Sequence, residues 1–337
     1  MRHPRYPIRF ALALSLIAPC VGAQANFATQ VVAFDTNGNA GGGVFNPANA
    51  LGLPEGGVGG GGSVLVHSLG VGGYLTLGFG VHLVDGPGAD LLVAENPFAI
   101  SVGQLYAELM FVEVSSNGHD FARFPSRFFG GDGSSFAINT PGFVSGLAGQ
   151  TPVFASAAGV DPRDVVEAGG DAFDLADLRT HPLVISGAVN LHAIAQVRLV
   201  DVVSSVSQDS RGHVILDPSS GSADVDGVTL IHDAGSVSVN GPEVTLTIPA
   251  DGNLTLTMQD PDGIGDLDPA TLRMSLYGQQ VDPAPLFAVM TLQHVHAHGF
   301  TLVLGGPLPP GLPVHMAVSI KDRAGHRSGA MRQRLLN

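Results

Sequence analysis

The sequence predicts an all-β protein, and three observations carry that prediction. Its apolar runs are short, rich in Val, Leu, Ile and Phe, and end at Gly, Asn, Asp or Pro. Turn-forming residues are abundant, with 46 glycines and 23 prolines, while tryptophan is absent. No stretch sustains the 3.6-residue apolar period of a long helix. Short β-favouring runs separated by turn residues are the pattern of a sandwich or jelly roll.

The first 23 residues read as a secretory leader. Arg2, Arg5 and Arg9 form its positive start, residues 10–18 its apolar middle, and Val21-Gly22-Ala23 the small residues before a cut at Gln24. The apolar part is too short to span a bilayer. Cys20 follows an apolar run, but Pro19 directly before it argues against lipidation. It is the sole cysteine, so a chain cut at Ala23 has no disulfide and no thiolate ligand. Strands are then expected at TQVVAF, GYLTLGF, DLLVAE, LMFVEVSS, HPLVIS, AQVRLVDVVS and GVTLIH. A short helix is expected at DAFDLADL (171–178) or around PANALG (47–52).

A boundary is expected from Asp233 to Asn240, where the composition changes. Beyond it come cleaner strands: EVTLTIP, NLTLTMQD, TLRMSLYG, FTLVLGG and VHMAVSIKD. Their spacing is that of a seven-strand sandwich of about 100 residues. The reading is therefore a leader (1–23), a larger β domain (24–235) and a small immunoglobulin-like domain (236–337). The Gly/Ser/Ala-rich stretch 128–170 is long for a loop, and such loops are usually functional or disordered.

The chain is acidic, with a formal charge of −14 and a single lysine, Lys321. Nucleic-acid binding needs cations to neutralise phosphate, and anionic lipid needs the same. Both are disfavoured. An acidic surface suits an extracytoplasmic protein that holds divalent cations. No later apolar stretch is long enough to cross a membrane as a helix. The glycine-rich run 56–62 has no lysine and precedes a strand, so it fails the phosphate-loop and dinucleotide templates.

Several separated pieces occur in an order that resembles a known family. They are Asn49-Ala50-Leu51-Gly52 with Pro54, then Ser68-Leu69-Gly70 with Gly72-Gly73 and Leu75-Thr76-Leu77. Asp85-Gly86-Pro87-Gly88 with Asp90 and Glu95-Asn96-Pro97-Phe98 follow, then Ala107-Glu108 and Val112-Glu113-Val114-Ser115 with Gly118. Gly169-Gly170-Asp171 with Phe173-Asp174-Leu175-Ala176, Val197-Arg198-Leu199-Val200-Asp201 and Asp224-Val225-Asp226-Gly227-Val228 complete the set. Over about 50–232 the chain resembles the secreted bacterial "cell surface" proteins. The resemblance implies a discoidin-like or galactose-binding-like sandwich, a fold that commonly binds glycans or other surface ligands and often carries calcium. It also implies work beside outer-membrane uptake receptors, corrinoid systems among them. Ala94, Asn117 and the Asp224–Gly227 stretch depart from the family's pattern, which puts the exact ligand in doubt.

Candidate ligands for calcium are Asp85, Asp90, Glu95 and Asn96, hard oxygen donors around a Gly-Pro turn. Strand alternation prevents all four from sharing one face, so Asp85 and Asp90 are expected together and Glu95 and Asn96 at the other end. Asp201, Asp224 and Asp226 lie on strands that could pair nearby, and Asp35 with Asn37 and Asn39 forms a further oxygen-rich loop. The competing reading is that these residues make Asx-turns and strand caps. The loop DPDGIGDLD supplies Asp260, Asp262, Asp266 and Asp268, the right ligand type for calcium without the EF-hand template. His294, His296 and His298 would project to one face of an extended strand and suit copper or zinc. Known catalytic motifs are missing. Glu108 and Glu113 are the pair a glycoside hydrolase would use. The sequence is therefore read as a non-enzymatic, calcium-stabilised surface-binding module for a glycan or a small nutrient handed to a receptor. Copper or zinc handling and glycan hydrolysis are the competing classes.

Overall fold

The computed structural model describes residues 26–38, 45–57, 62–101, 104–130, 143–218, 221–235, 238, 240–249, 252–311 and 313–335. The expected leader with its cleavage point, and Asn39, lie outside the described residues. The chain is all-β, with four principal antiparallel sheets.

The N-terminal sandwich pairs a five-stranded sheet with a three-stranded one. The first runs in the order Ala28–Asp35, Tyr74–Leu83, Ile194–Asp201, Met110–Ser115, Ala122–Arg123. The second has Leu91–Ala94 at its centre, flanked by Asp171–Phe173 and Gly227–Leu230. Alternate residues point inward. Leu75, Leu77, Val112, Val114, Val197 and Leu199 meet Leu91, Val93, Val228 and Leu230 in one core.

The C-terminal sandwich has eight strands where seven were expected. One sheet runs Glu243–Thr247, Thr255–Gln259, Gly299–Leu304, Met290–His296, and the other Gln279–Val281, Leu267–Leu276, Pro313–Asp322, Arg327–Leu335. Its core gathers Val244, Leu246, Leu256, Met258, Met274, Val314, Met316, Val318 and Ile320.

The two inner sheets bury both faces, because the sandwiches dock on each other. In Leu91–Ala94, Leu91 and Val93 face the N-terminal core, while Leu92 and Ala94 join a seam with Ala317 and Met331. Val314, Met316, Val318 and Ile320 face the C-terminal core, leaving His315, Ala317 and Ser319 on the other side. Four β layers are thereby stacked. The described part of the long Gly/Ser/Ala-rich stretch fills the seam with Val153, Ala155, Val165, Val166 and Ala168.

Polar contacts cross the same seam. Ser319 Oγ donates to Asp164 Oδ1 at 2.8 Å, Lys321 Nζ reaches Asp161 at 3.0 Å, and Arg327 also pairs with Asp161. Arg273 reaches Glu167 at 3.3 Å. The Ala89 N–H donates to the Gly329 carbonyl at 2.9 Å. That approach requires glycine: a Cβ at Gly329 would lie 2.5 Å from Val165 Cγ2, and one at Gly88 (φ +82°) 2.5 Å from the Gly329 oxygen.

Two local expectations are corrected. HPLVIS is a short helix, Pro182–Ile185, rather than a strand: the His181 ring accepts the Leu183 N–H, and Pro182 occupies the first helical position. DAFDLADL is not one helix. Asp171–Phe173 pairs with Leu91–Ala94, and the 3-10 turn Leu175–Leu178 begins only after the cap Asp174. The alternative site is a 3-10 turn, Pro47–Ala50, capped by Asn46.

Candidate metal centres

The expected calcium ligands separate into different places. Asp35 accepts the Asn37 N–H at 2.8 Å, an Asx-turn at a residue with φ +53°. Asp226 spends both oxygens on backbone, taking the Glu55 N–H at 3.0 Å and the Gly56 N–H at 2.6 Å. Asn96 accepts the Ser63 N–H and donates to the Ser63 carbonyl at 2.9 Å, so its amide pins a neighbouring segment as a strand partner would. Asp35, Asn96 and Asp226 therefore each hold backbone N–H groups, and they lie apart from one another and from the Asp85–Asp90 turn, as the Asx-turn and strand-cap reading has it.

Among the described residues, two triads bring one carboxylate oxygen of each member within 4.8 Å of the others. The first is Asp85, Asp90 and Asp174, in which the expected pair gains Asp174 as a third member. Cationic groups already face it. Arg179 grips Asp85 Oδ2 at 2.8 Å, and His232 Nδ1 lies 2.8 Å from Asp90 Oδ1. Asp90 also accepts the Gly86 N–H at 2.7 Å and the Leu175 N–H at 2.6 Å. Asp174 caps its turn through the Ala176 N–H at 2.8 Å. Burial raises the Asp90 carboxyl, against the pull of His232, and burial with Asp90 beside it pushes Asp174 up to about 7. These contacts tie the Gly-Pro turn to the 171–178 segment and to His232, while Asp85 Oδ1 is buried with no hydrogen-bond partner.

The second triad is Asp260, Asp266 and Asp322. The loop supplies two members and the end of strand Pro313–Asp322 the third. Asp262 is exposed and stands outside it, while Asp268 accepts the Ala270 N–H at 3.1 Å. Asp260 is fully buried, and its Oδ1 accepts the Asp262 N–H at 2.8 Å. Its Oδ2 is buried without a donor. A buried acceptor left unmade costs roughly 1–3 kcal/mol, more when charged. Burial first, then Asp266 and Asp322, holds this carboxyl above its ordinary value. His326 pairs with Asp322 through its backbone N–H at 2.7 Å and its Nδ1 at 2.5 Å, and among the described residues no basic side chain forms an ion pair with Asp260 or Asp266. Asp322 escaped the sequence reading because it lies more than fifty residues from the loop.

Comparison with protein-family models and with curated proteins gives no match.

The histidine row is broken. Met290–His296 is an edge strand with a register shift between Gln293 and His296, and His294 sits at φ +50°. His298 falls in the turn that follows, and its N–H donates to His296 Nδ1 at 3.2 Å. The regular i, i+2, i+4 projection expected of His294, His296 and His298 is absent, because a bulge and a left-handed residue reset the alternation.

The carboxylate pair Glu108 and Glu113 is also divided. Glu113 lies between Arg123 at 2.7 Å and Arg198 at 3.6 Å. Glu108 instead accepts the Tyr106 hydroxyl at 3.1 Å and packs on Gly221. Glu95 is almost fully buried at the far end of its strand, accepting the Asp224 N–H at 3.1 Å. No helix among the described residues is long and apolar enough to cross a membrane.

Proposed function

We propose that the chain is a secreted, calcium-stabilised binding protein of the cell surface. In this reading a discoidin-like sandwich carries the ligand surface, and an immunoglobulin-like sandwich braces it as a rigid support. The ligand class is a glycan, or a small nutrient passed to an outer-membrane receptor. The observation that carries the calcium part is Asp260 Oδ2, buried and without a donor, within reach of Asp266 and Asp322. Calcium takes six to eight oxygens in flexible geometry, so three carboxylates plus backbone oxygens and water suit it. The acidic composition agrees with that chemistry.

The glycan part is supported by an aromatic surface. Phe98 and Tyr106 stack with ring centroids 5.2 Å apart and planes at 21°, and Phe98 is exposed. An exposed Phe98 ring backed by half-buried Tyr106 offers the apolar platform that a sugar face needs, in a chain without tryptophan. The reading has no catalytic step, since the candidate acids Glu108 and Glu113 keep separate partners.

Thermal unfolding of the full chain with EDTA and with calcium tests the calcium part. The expected result is a calcium-dependent rise in Tm that shrinks in Asp260→Asn. An unchanged Tm in both proteins would refute it. Screening against a glycan array in calcium tests the ligand part, with binding expected to fall at least tenfold in Phe98→Ala. A chain that binds no glycan would turn the search to small nutrients.

A further inference from the structure

A second group of acids lies in the N-terminal sandwich, on four separate segments. Glu95 follows the strand Leu91–Ala94, and Glu108 precedes Met110–Ser115. Asp217 lies in the connection after Ile194–Asp201, and Asp224 opens the strand Asp224–Val225. Glu95, Glu108 and Asp217 are 2%, 5% and 3% exposed, and Asp224 is half-buried. Among the described residues no arginine, lysine or histidine forms an ion pair with any of them.

The backbone around the group is shaped to hold the acids there. The Leu109 N–H donates to Asp217 Oδ1 at 3.0 Å, and the Ser68 hydroxyl donates to Asp224. Asp201 uses both oxygens on the Gly72 and Ala223 N–H groups, at 2.8 and 2.9 Å, and so fixes the segment that carries Asp224. Gly221 is cut away for Glu108: a Cβ there would lie 1.9 Å from Glu108 Oε1. The decisive atom is Glu95 Oε2. Its partner oxygen takes the Asp224 N–H, while Oε2 itself is buried with no hydrogen-bond donor.

We propose that Glu95, Glu108, Asp217 and Asp224 form a divalent-cation site of the hard-oxygen class that suits calcium. Buried charges in proteins are paired, bind metal or give up their charge, and no pairing cation is present among the described residues. Burial raises all four carboxyls, Glu108 to about 8, and neighbouring acids add to it at Glu95, Glu108 and Asp217, while the Ser68 hydroxyl opposes it at Asp224. Without an ion, no three oxygens of the group come within 4.8 Å of one another as those of the two triads do. A divalent ion would draw them inward, and the acids beyond those it neutralises would keep their protons. The site is independent of the Asp260 triad, on which the calcium part of the proposed function rests.

Calcium titration calorimetry on the EDTA-stripped full chain tests this, using wild type, Glu108→Gln, Glu95→Gln and Asp260→Asn. Wild type is expected to bind two ions. Glu108→Gln and Glu95→Gln are each expected to weaken one binding event at least tenfold and leave the other intact. Both carboxyls are held protonated without metal, and a glutamine is a neutral replacement of the same shape, so without metal both variants should melt near wild type. One ion lost in Glu108→Gln and Glu95→Gln but kept in Asp260→Asn would support this site and remove the C-terminal one. Unaltered calcium binding in both glutamine variants would overturn the inference, whatever Asp260→Asn does.

Discussion

Two groups of buried acids in the same sandwich have opposite surroundings. Asp85, Asp90 and Asp174 are closer together, yet Arg179 and His232 face them and backbone N–H groups occupy Asp90. Glu95, Glu108, Asp217 and Asp224 stand further apart and have no basic partner among the described residues. Proximity of oxygens alone therefore does not mark a metal centre. What matters is whether the fold already provides the compensating charge. Each group keeps one unpartnered buried oxygen, Asp85 Oδ1, Glu95 Oε2 or Asp260 Oδ2, so the ion pairs set them apart: two in the first group, one (His326 on Asp322) in the C-terminal triad and none among the described residues at Glu95.

Breaking the compensated group should have the largest effect. Asp90→Ala strips the partner from the Gly86 and Leu175 N–H groups and from buried His232. Losing one member of such a buried network costs about 3–5 kcal/mol. At this chain size that is roughly a 10 °C fall in Tm. Calorimetry should show the fall equally with and without calcium. A calcium-dependent fall would make Asp90 a ligand and erase the contrast.

Next comes the seam that makes the two sandwiches one body. Gly329→Ala places a methyl group against Val165, and overpacking of this kind costs about 1–3 kcal/mol. Denaturant unfolding should show a lower midpoint and, if docking loosens, two transitions in place of one. An unchanged midpoint would mean the seam yields easily.

The pH dependence sharpens the comparison further. Glu108, raised to about 8, holds a proton in the folded chain that it loses when unfolded, so stability should fall as pH rises towards 8. Buried His67 and His315, lowered to about 4, act the other way between 4 and 6.5, where the unfolded chain binds more protons. Between pH 6.5 and 8 the histidine contribution is complete while the acid contribution continues. Tm measured in EDTA should decline by several degrees over that interval, and the decline should shrink in Glu108→Gln while Asp174, raised to about 7, and the raised Glu95 and Asp217 keep the remainder. A flat profile in wild type would show that Glu108 ionises freely.

The smallest effect is expected at the exposed edge strand. Replacing His294, His296 and His298 together by alanine should leave Tm unchanged and remove no zinc that survives dialysis. Retained stoichiometric zinc in wild type, lost in the variant, would restore the histidines as a metal site.

The sandwich strands were legible because a half-buried strand alternates, as EVTLTIP does. The Asp85–Asp90 pairing was legible because one turn holds both. Docking was not legible in VHMAVSIKD, because its second face carries His315, Ser319 and Lys321 beside Ala317 and so reads as solvated. HPLVIS misled because its apolar run is strand-like, and only the His181-Pro182 start reveals the helix. Asp322, Glu108 and Asp217 could not be joined to their clusters from sequence, since each arrives from a remote segment through sheet topology. Asn96 and Asp226 looked like ligands because a side chain that clamps backbone uses the same oxygens as one that binds calcium.

On this reading, buried acids without compensating cations mark where the protein holds calcium. The most direct measurement is Tm at pH 8, first in EDTA and then in calcium at a hundredfold excess over its Kd. Binding to the folded state alone contributes about 2.7 kcal/mol per site under that condition, or roughly 5 °C or more. That rise is expected in wild type, a smaller one in Glu108→Gln or Asp260→Asn, and none in the double variant. An identical Tm with and without calcium in wild type would contradict it.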